Sequence, residues 1–211
     1  IGGGYMRCPE FNINPLLDDD EVELVNGEFR VAAVAERMGS RIDALAEFVC
    51  SFASPGGDEA RMFDRPTMVA LPATEVVRQL AEAILRRGVA PAVITQDTSF
   101  AERQVAFAAC QNRSAVLLQI GVVGEGIDLP WLRRLIDAKP TMSPTAWFQL
   151  VGRITRPHNE PEPPEYICTN RNLERHAYLW DGLVPPSHVG VAQDAFGGPS
   201  QRSAARHMGL E

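Results

Sequence analysis

Lysine is nearly absent from this sequence: Lys139 stands alone against 19 arginines. Arginine stays protonated and grips phosphate in a planar fork, so the bias suits an anion-binding protein; a GC-rich genome produces the same bias. Cysteine is scarce too. Cys8, Cys50, Cys110 and Cys168 form no C-x-x-C pair and have no histidine at ligand spacing. That excludes a disulfide framework and a zinc site, and points to reduced thiols of a cytoplasmic protein. No uninterrupted apolar run approaches the roughly 18 residues of a membrane helix. Neither G-x-G-x-x-G nor G-x-x-x-x-G-K-[ST] occurs, and the sole lysine is followed by Pro140. A dinucleotide fingerprint and a resident phosphate-binding loop are therefore both missing. The opening Ile-Gly-Gly-Gly-Tyr lacks the basic start and apolar core of a signal peptide. It reads either as the edge of a piece cut from a longer protein or as a tag remnant.

What is present suffices for one globular domain with appendages: 211 residues, 45% apolar and 22% charged. The net charge of −7 argues at face value against a nucleic-acid partner. Its distribution removes that objection. Residues 1–64 hold 13 acidic against 5 basic side chains, a net of −8, whereas residues 65–211 hold 14 against 15, a net of +1.

Residues 1–30 read as loop, with Pro9, Pro15 and an acidic cluster, Asp18-Asp19-Asp20-Glu21, whose ordinary place is a solvated face. From Val31 to Phe52 the apolar residues Val34, Met38, Ile42, Leu45, Phe48 and Val49 recur at helical spacing, and one helix is expected up to the Ser-Pro-Gly-Gly turn. Thr67–Leu71 is a short apolar run consistent with a buried strand. Thr74 is placed to cap the helix after it, in which Val77, Leu80, Ile84 and Leu85 form one face and Gly88 ends the run. A second strand at Ala92–Thr95 leads to a second helix opened by Ser99 with Glu102 at the capping-box position. Strands follow at Ser114–Ile120 and Leu132–Asp137, then a helix from Pro144 through Val151 and a last strand at Tyr166–Thr169. This alternation predicts a parallel sheet with helices on both faces.

Two stretches carry chemistry. The loop after the third strand, Gly121 to Pro130, holds Gly121, Val122, Gly124, Glu125, Gly126 and Asp128. Its glycines let backbone amides approach a phosphate, and Asp128 can accept from a sugar hydroxyl, an amide or an arginine. A tight connection with Asp128 fixing a turn fits the same residues. The second stretch is Gln149-Leu-Val-Gly152-Arg153-Ile-Thr-Arg156. Gln149, Arg153 and Arg156 are spaced by four and three, which puts them on one helical face as an anion clamp, with Gly152 admitting a neighbouring backbone. A surface face paired with carboxylates is the plainer alternative.

Together, in this order behind a strand-helix-strand unit, the two stretches resemble the C-terminal RecA-like lobe of superfamily 2 helicases and translocases. TMVALPATEVVRQLAEAIL resembles the opening strand and helix of that lobe, VLLQIGVVGEGIDLP its motif V and QLVGRITRP its motif VI (Q-x-x-G-R-x-x-R). TSFAERQVAFAACQN is similar to the helix that bears an acidic-arginine pair, here Glu102-Arg103. The stretch AKPTMSPTAWFQLVGRITRP is nearest to a branch common in bacteriophage and bacterial DNA helicases. Ile120-Gly121 departs from the Thr-Asp of many relatives.

The resemblance implies that Arg153 and Arg156 reach ATP on a partner lobe, one of them as an arginine finger, with Gln149 holding that network. It places Gly124, Glu125, Gly126, Asp128 and Gly152 at the nucleotide cleft, and Pro72, Ala73, Thr74, Gln96, Thr98, Gly121 and Val122 against the nucleic-acid backbone. It implies a RecA-like α/β fold divided as linker and packing helix (1–64), helicase domain (65–160) and C-terminal extension with a loosely ordered tail (161–211). No acidic DEAD- or DEAH-type box accompanies the missing phosphate loop. ATP and Mg are thus expected mainly on an N-terminal RecA-like lobe, in the same parent chain or another subunit, with DNA as the nucleic acid. Alternatives within this reading are a duplex translocase subunit of a restriction or remodelling system and a non-enzymatic nucleic-acid-binding or regulatory module.

Overall fold

The computed structural model describes residues 8–54, 61–120, 129–156 and 162–176. The expected α/β architecture is present. Six strands form one all-parallel sheet: β1 (Glu10–Ile13), β4 (Thr67–Leu71), β5 (Pro91–Ile94), β6 (Val116–Ile120), β7 (Arg134–Asp137) and β8 (Glu165–Cys168), in the order β1-β8-β7-β4-β6-β5. A separate hairpin joins β2 (Leu24–Val25) to β3 (Glu28–Phe29). The helices are α1 (Val31–Gly39), α2 (Ile42–Cys50), α3 (Thr74–Leu85), α4 (Phe100–Gln111), α5 (Pro144–Val151) and α6 (Asn172–His176).

Side-chain alternation along β4 sorts the helices onto two faces. Val69 and Leu71 join the apolar cluster containing Val34 of α1, Leu45 of α2 and Leu80 of α3. Met68 and Ala70 join the cluster containing Ala106 of α4, Trp147 of α5 and Leu173 of α6. All five residues of β4 are buried, as its unbroken apolar run requires of a strand covered on both faces.

The sequence reading needs four corrections. Part of the segment expected to be loop supplies edge strand β1, which pairs in parallel with β8, Phe11 opposite Tyr166. The single expected helix over Val31–Phe52 is two, broken after Gly39; the Ser40 hydroxyl bonds the Arg37 carbonyl at 2.8 Å and closes α1. Thr74 does not cap α3: it is the first helical residue, and Ala73 is the N-cap without a side-chain hydrogen bond. The acidic cluster is not simply a solvated face, because Asp19 is fully buried and pairs with Arg175 at 2.6 Å, while Asp18 and Asp20 pair with Arg171.

Other local signals are realised as written. Gly88 ends α3 with φ +74, a left-handed conformation natural to glycine. Ser99 and Glu102 form the full capping box at the start of α4. No helix among the described residues is long and apolar enough to cross a membrane.

Candidate functional site

Parallel strands place their following loops along one rim, where open α/β sheets bind ligands. Ile13, Cys168, Asp137, Ala70, Gln119 and Ile94 form one row across that rim. The Pro72–Thr74 loop leaves β4 and the Gln96–Thr98 loop leaves β5, the two strands that flank β6. The fold therefore brings these two candidate segments to neighbouring positions. Pro72 is buried, Ala73 half-buried and Thr74 exposed.

The second loop is tightly tied. The Thr98 hydroxyl accepts from the Thr95 amide at 2.9 Å, and Arg103 donates to the Thr98 and Thr95 carbonyls at 2.9 and 3.3 Å and to that of Gln96 at 3.4 Å. The arginine of the Glu102-Arg103 pair thus holds this loop, while Glu102 belongs to the helix cap. Gln96 is exposed, as is its neighbour Asp97. Gly121, Val122, Gly124, Glu125, Gly126 and Asp128 lie outside the described residues.

Helix α5 begins at Pro144, the favoured first helical position for proline, and the Ser143 hydroxyl caps it by accepting from the Ala146 amide at 3.2 Å. Trp147, Leu150 and Val151 are its buried residues, whereas Gln149 is exposed. The helix ends at Val151, so the shared face read from the 4-and-3 spacing does not extend to Arg156. Arg153 and Ile154 instead donate to residues three back, Leu150 and Val151, at 3.2 and 3.1 Å. This tightened turn satisfies carbonyls that a helix end leaves open.

Buried Ile154 and Thr155 fasten the turn, and the Thr155 hydroxyl donates to the Gly152 carbonyl at 3.1 Å. Arg153 is half-buried and Arg156 exposed. The backbone that Gly152 admits is that of its own helix: a Cβ there would sit 3.1 Å from the Phe148 carbonyl oxygen.

Burial pushes the Arg153 guanidinium below its usual range, and the positive charge of Arg156 pushes it further the same way. The turn therefore holds two cations within electrostatic reach of one another, an arrangement that an anion touching both relieves. Sequence reasoning missed Glu28, whose carboxylate accepts from the Thr141 hydroxyl and the Met142 amide, both at 2.8 Å, on the connection into α5. The signal lay in Val-Asn-Gly-Glu: Asn26 and Gly27 have φ +52 and +77, the turn that an Asn-Gly pair between short strands favours.

No curated protein matches the sequence. Among solved structures, the chain is similar to a yeast DEAD-box splicing factor at 10% identity, covering 95% of this chain and 39% of that one, with a TM-score of 0.56. It is similar to T4 UvsW at 13% identity, covering 78% and 33%, with a TM-score of 0.55. It is also similar to a fragment of a putative HsdR subunit of a type I restriction enzyme from Vibrio vulnificus, at 14% identity, covering 89% and 35%, with a TM-score of 0.54. The chain spans between 33% and 39% of each of these structures, and at such identities the likeness establishes the RecA-like fold alone. The model of the helicase conserved C-terminal domain matches residues 43–158, more than half of the sequence and inclusive of β4 to α5 and the arginine turn. The chain belongs to the helicase conserved C-terminal domain family.

Proposed function

We propose that this chain is the second motor lobe of a nucleic-acid-dependent ATPase, a DNA helicase of a bacterial or phage-infected cytoplasm. On this reading it supplies arginines to ATP held on an N-terminal lobe. The observation that supports it best is the arginine turn: Arg153, half-buried, and Arg156, exposed, follow the end of α5 in the Q-x-x-G-R-x-x-R register. Guanidiniums fixed in advance stabilise charge that develops on a transferring phosphoryl group without reorganising at the moment of reaction. Gln149, exposed on the last turn of α5, lies beside them in sequence to hold that network. Gly124, Glu125, Gly126, Asp128 and Gly152 complete the nucleotide cleft. Pro72, Ala73, Thr74, Gln96 and Thr98, along the strand rim, face the DNA backbone, a role that Gly121 and Val122 share.

The described residues of this lobe fit the phosphate side of such a site and not the metal side. Among the described residues, the one trio of close carboxylates, Asp18, Asp19 and Asp20, is paired with Arg171 and Arg175. Mg²⁺, which neutralises phosphate charge when bound, would be held mainly by the N-terminal lobe.

The test joins the chain to its N-terminal lobe and measures ATP hydrolysis with and without single-stranded DNA. The isolated chain turns over no ATP, and the joined lobes show DNA-stimulated turnover. Arg153→Ala and Arg156→Ala each abolish that turnover while the circular dichroism of the lobe is unchanged. Turnover by the isolated chain, or near-normal turnover by both variants, defeats the reading; stimulation by RNA alone replaces DNA as the partner.

A further inference from the structure

Helix α5 is held by a chain of hydrogen bonds as well as by apolar contact. Asp137, fully buried at the end of β7, accepts at Oδ2 from the Tyr166 hydroxyl (2.6 Å) and the Asn172 amide (2.8 Å), and at Oδ1 from the Lys139 N–H (3.1 Å). The Tyr166 oxygen in turn accepts from the indole N–H of Trp147 at 2.7 Å, in the middle of α5. The entry to the helix is fastened separately. Asn172 accepts from the Thr141 N–H at 2.9 Å and donates to the Lys139 carbonyl at 2.8 Å. Glu28 takes the Thr141 hydroxyl and the Met142 N–H.

A buried carboxylate is costly to desolvate, and apolar side chains would fill the same space. Hydrogen bonds add direction: they fix the rotation and height of a helix that apolar contact alone leaves free to slide. The position so fixed matters because Trp147 lies two residues before Gln149 and six before Arg153. We propose that Asp137 and Tyr166 are positioning residues for the arginine turn, acting through Trp147, with Glu28 and Asn172 holding the helix entry. This rests on the reading of Arg153 and Arg156 as phosphate-facing groups.

The test uses the joined, two-lobed ATPase. Tyr166→Phe keeps the ring against Phe11 and Trp147 but removes the hydroxyl that links Asp137 to α5. The expected result is a kcat lowered about tenfold, less than the roughly hundredfold that a misplacement of about 1 Å can cost, with KM for ATP and DNA affinity within about twofold of the parent. In the isolated chain the Trp147 indole N–H should lose exchange protection. Phe11→Leu, which perturbs the same apolar cluster without touching the hydrogen-bond chain, is the stability control and keeps kcat. Unchanged kcat in Tyr166→Phe overturns the proposal, and so does an equal loss in Phe11→Leu. Should Tyr166→Phe fail to fold, Glu28→Ala at its half-buried site gives the same comparison: a severalfold fall in kcat supports the proposal and an unchanged kcat overturns it. If Arg153→Ala and Arg156→Ala also both keep near-normal turnover, the motor reading itself has failed, which separates the two results.

Discussion

Gln119 is a weakness in the chemistry of the core, because its side chain is fully buried in β6 and yet, among the described residues, neither Oε1 nor Nε2 has a hydrogen-bond partner. It stands in the rim row between Ala70 and Ile94, two apolar neighbours that offer it nothing. An unsatisfied buried amide costs about 1–3 kcal/mol. Replacing it by methionine, similar in length and volume, removes that penalty without opening a cavity. Gln119→Met should therefore stabilise the chain by about 1–2 kcal/mol, which for a chain of this size raises Tm by about 2–8 °C. Urea unfolding followed by far-ultraviolet circular dichroism gives the free-energy difference and thermal melts the second number. A loss of 1 kcal/mol or more would refute the reasoning, since it would mean that the amide makes hydrogen bonds in the folded protein. Gln119→Ala separates shape from polarity: it also removes the amide but leaves a void, so it should be less stable than Gln119→Met.

Two further outcomes follow from ion pairs. Arg134, 3% exposed, forks onto Asp64 at 2.6 and 2.9 Å, bonds Glu165 at 2.5 Å and stacks over Phe52; Arg134→Met leaves Glu165 with its cation removed and should cost about 3 kcal/mol in the same urea assay. For acid sensitivity, burial alone would raise the Asp64 carboxyl, but the hydrogen bonds and charge of Arg134 outweigh it; burial would likewise raise Glu28, but donors from Met142, Phe29 and Thr141 outweigh it. Both carboxyls are thus held below their ordinary values of 3.8 and 4.5. Their contribution is complete above those values and lost as pH falls through the lower folded-state ones, so the stability advantage of the parent over Asp64→Asn, measured from pH 6 downward, should hold to about 4.5 and then shrink.

Much of the fold was legible because its signals are local. Thr67–Leu71 and Val116–Ile120 are short apolar runs, and Gly88 and Ser99 carry their instructions in one or two residues. The break at Gly39-Ser40 and the Asn26-Gly27 hairpin were also written locally, and a stricter reading of glycine would have found both. Strand β1 was different. Glu10–Ile13 has one fully buried residue, and its one sheet partner among the described residues is β8, more than 150 residues away.

The arginine turn shows where the two kinds of information divide. The sequence by itself determined which residues are there: Gln149, Gly152, Arg153 and Arg156 stand at spacings that resemble one motif. Where the helix beneath them stops, and what holds it, only the tertiary structure decided. Asp137, Tyr166, Asn172 and Glu28 converge on α5 and its entry from strands and a helix that sequence separates widely. The same folding brings Arg175 to Asp19 and buries an acid that looked solvated. Periodicity reports the environment of a residue along its own helix or strand; a hydrogen bond between distant segments exists only once the sheet order has brought them together.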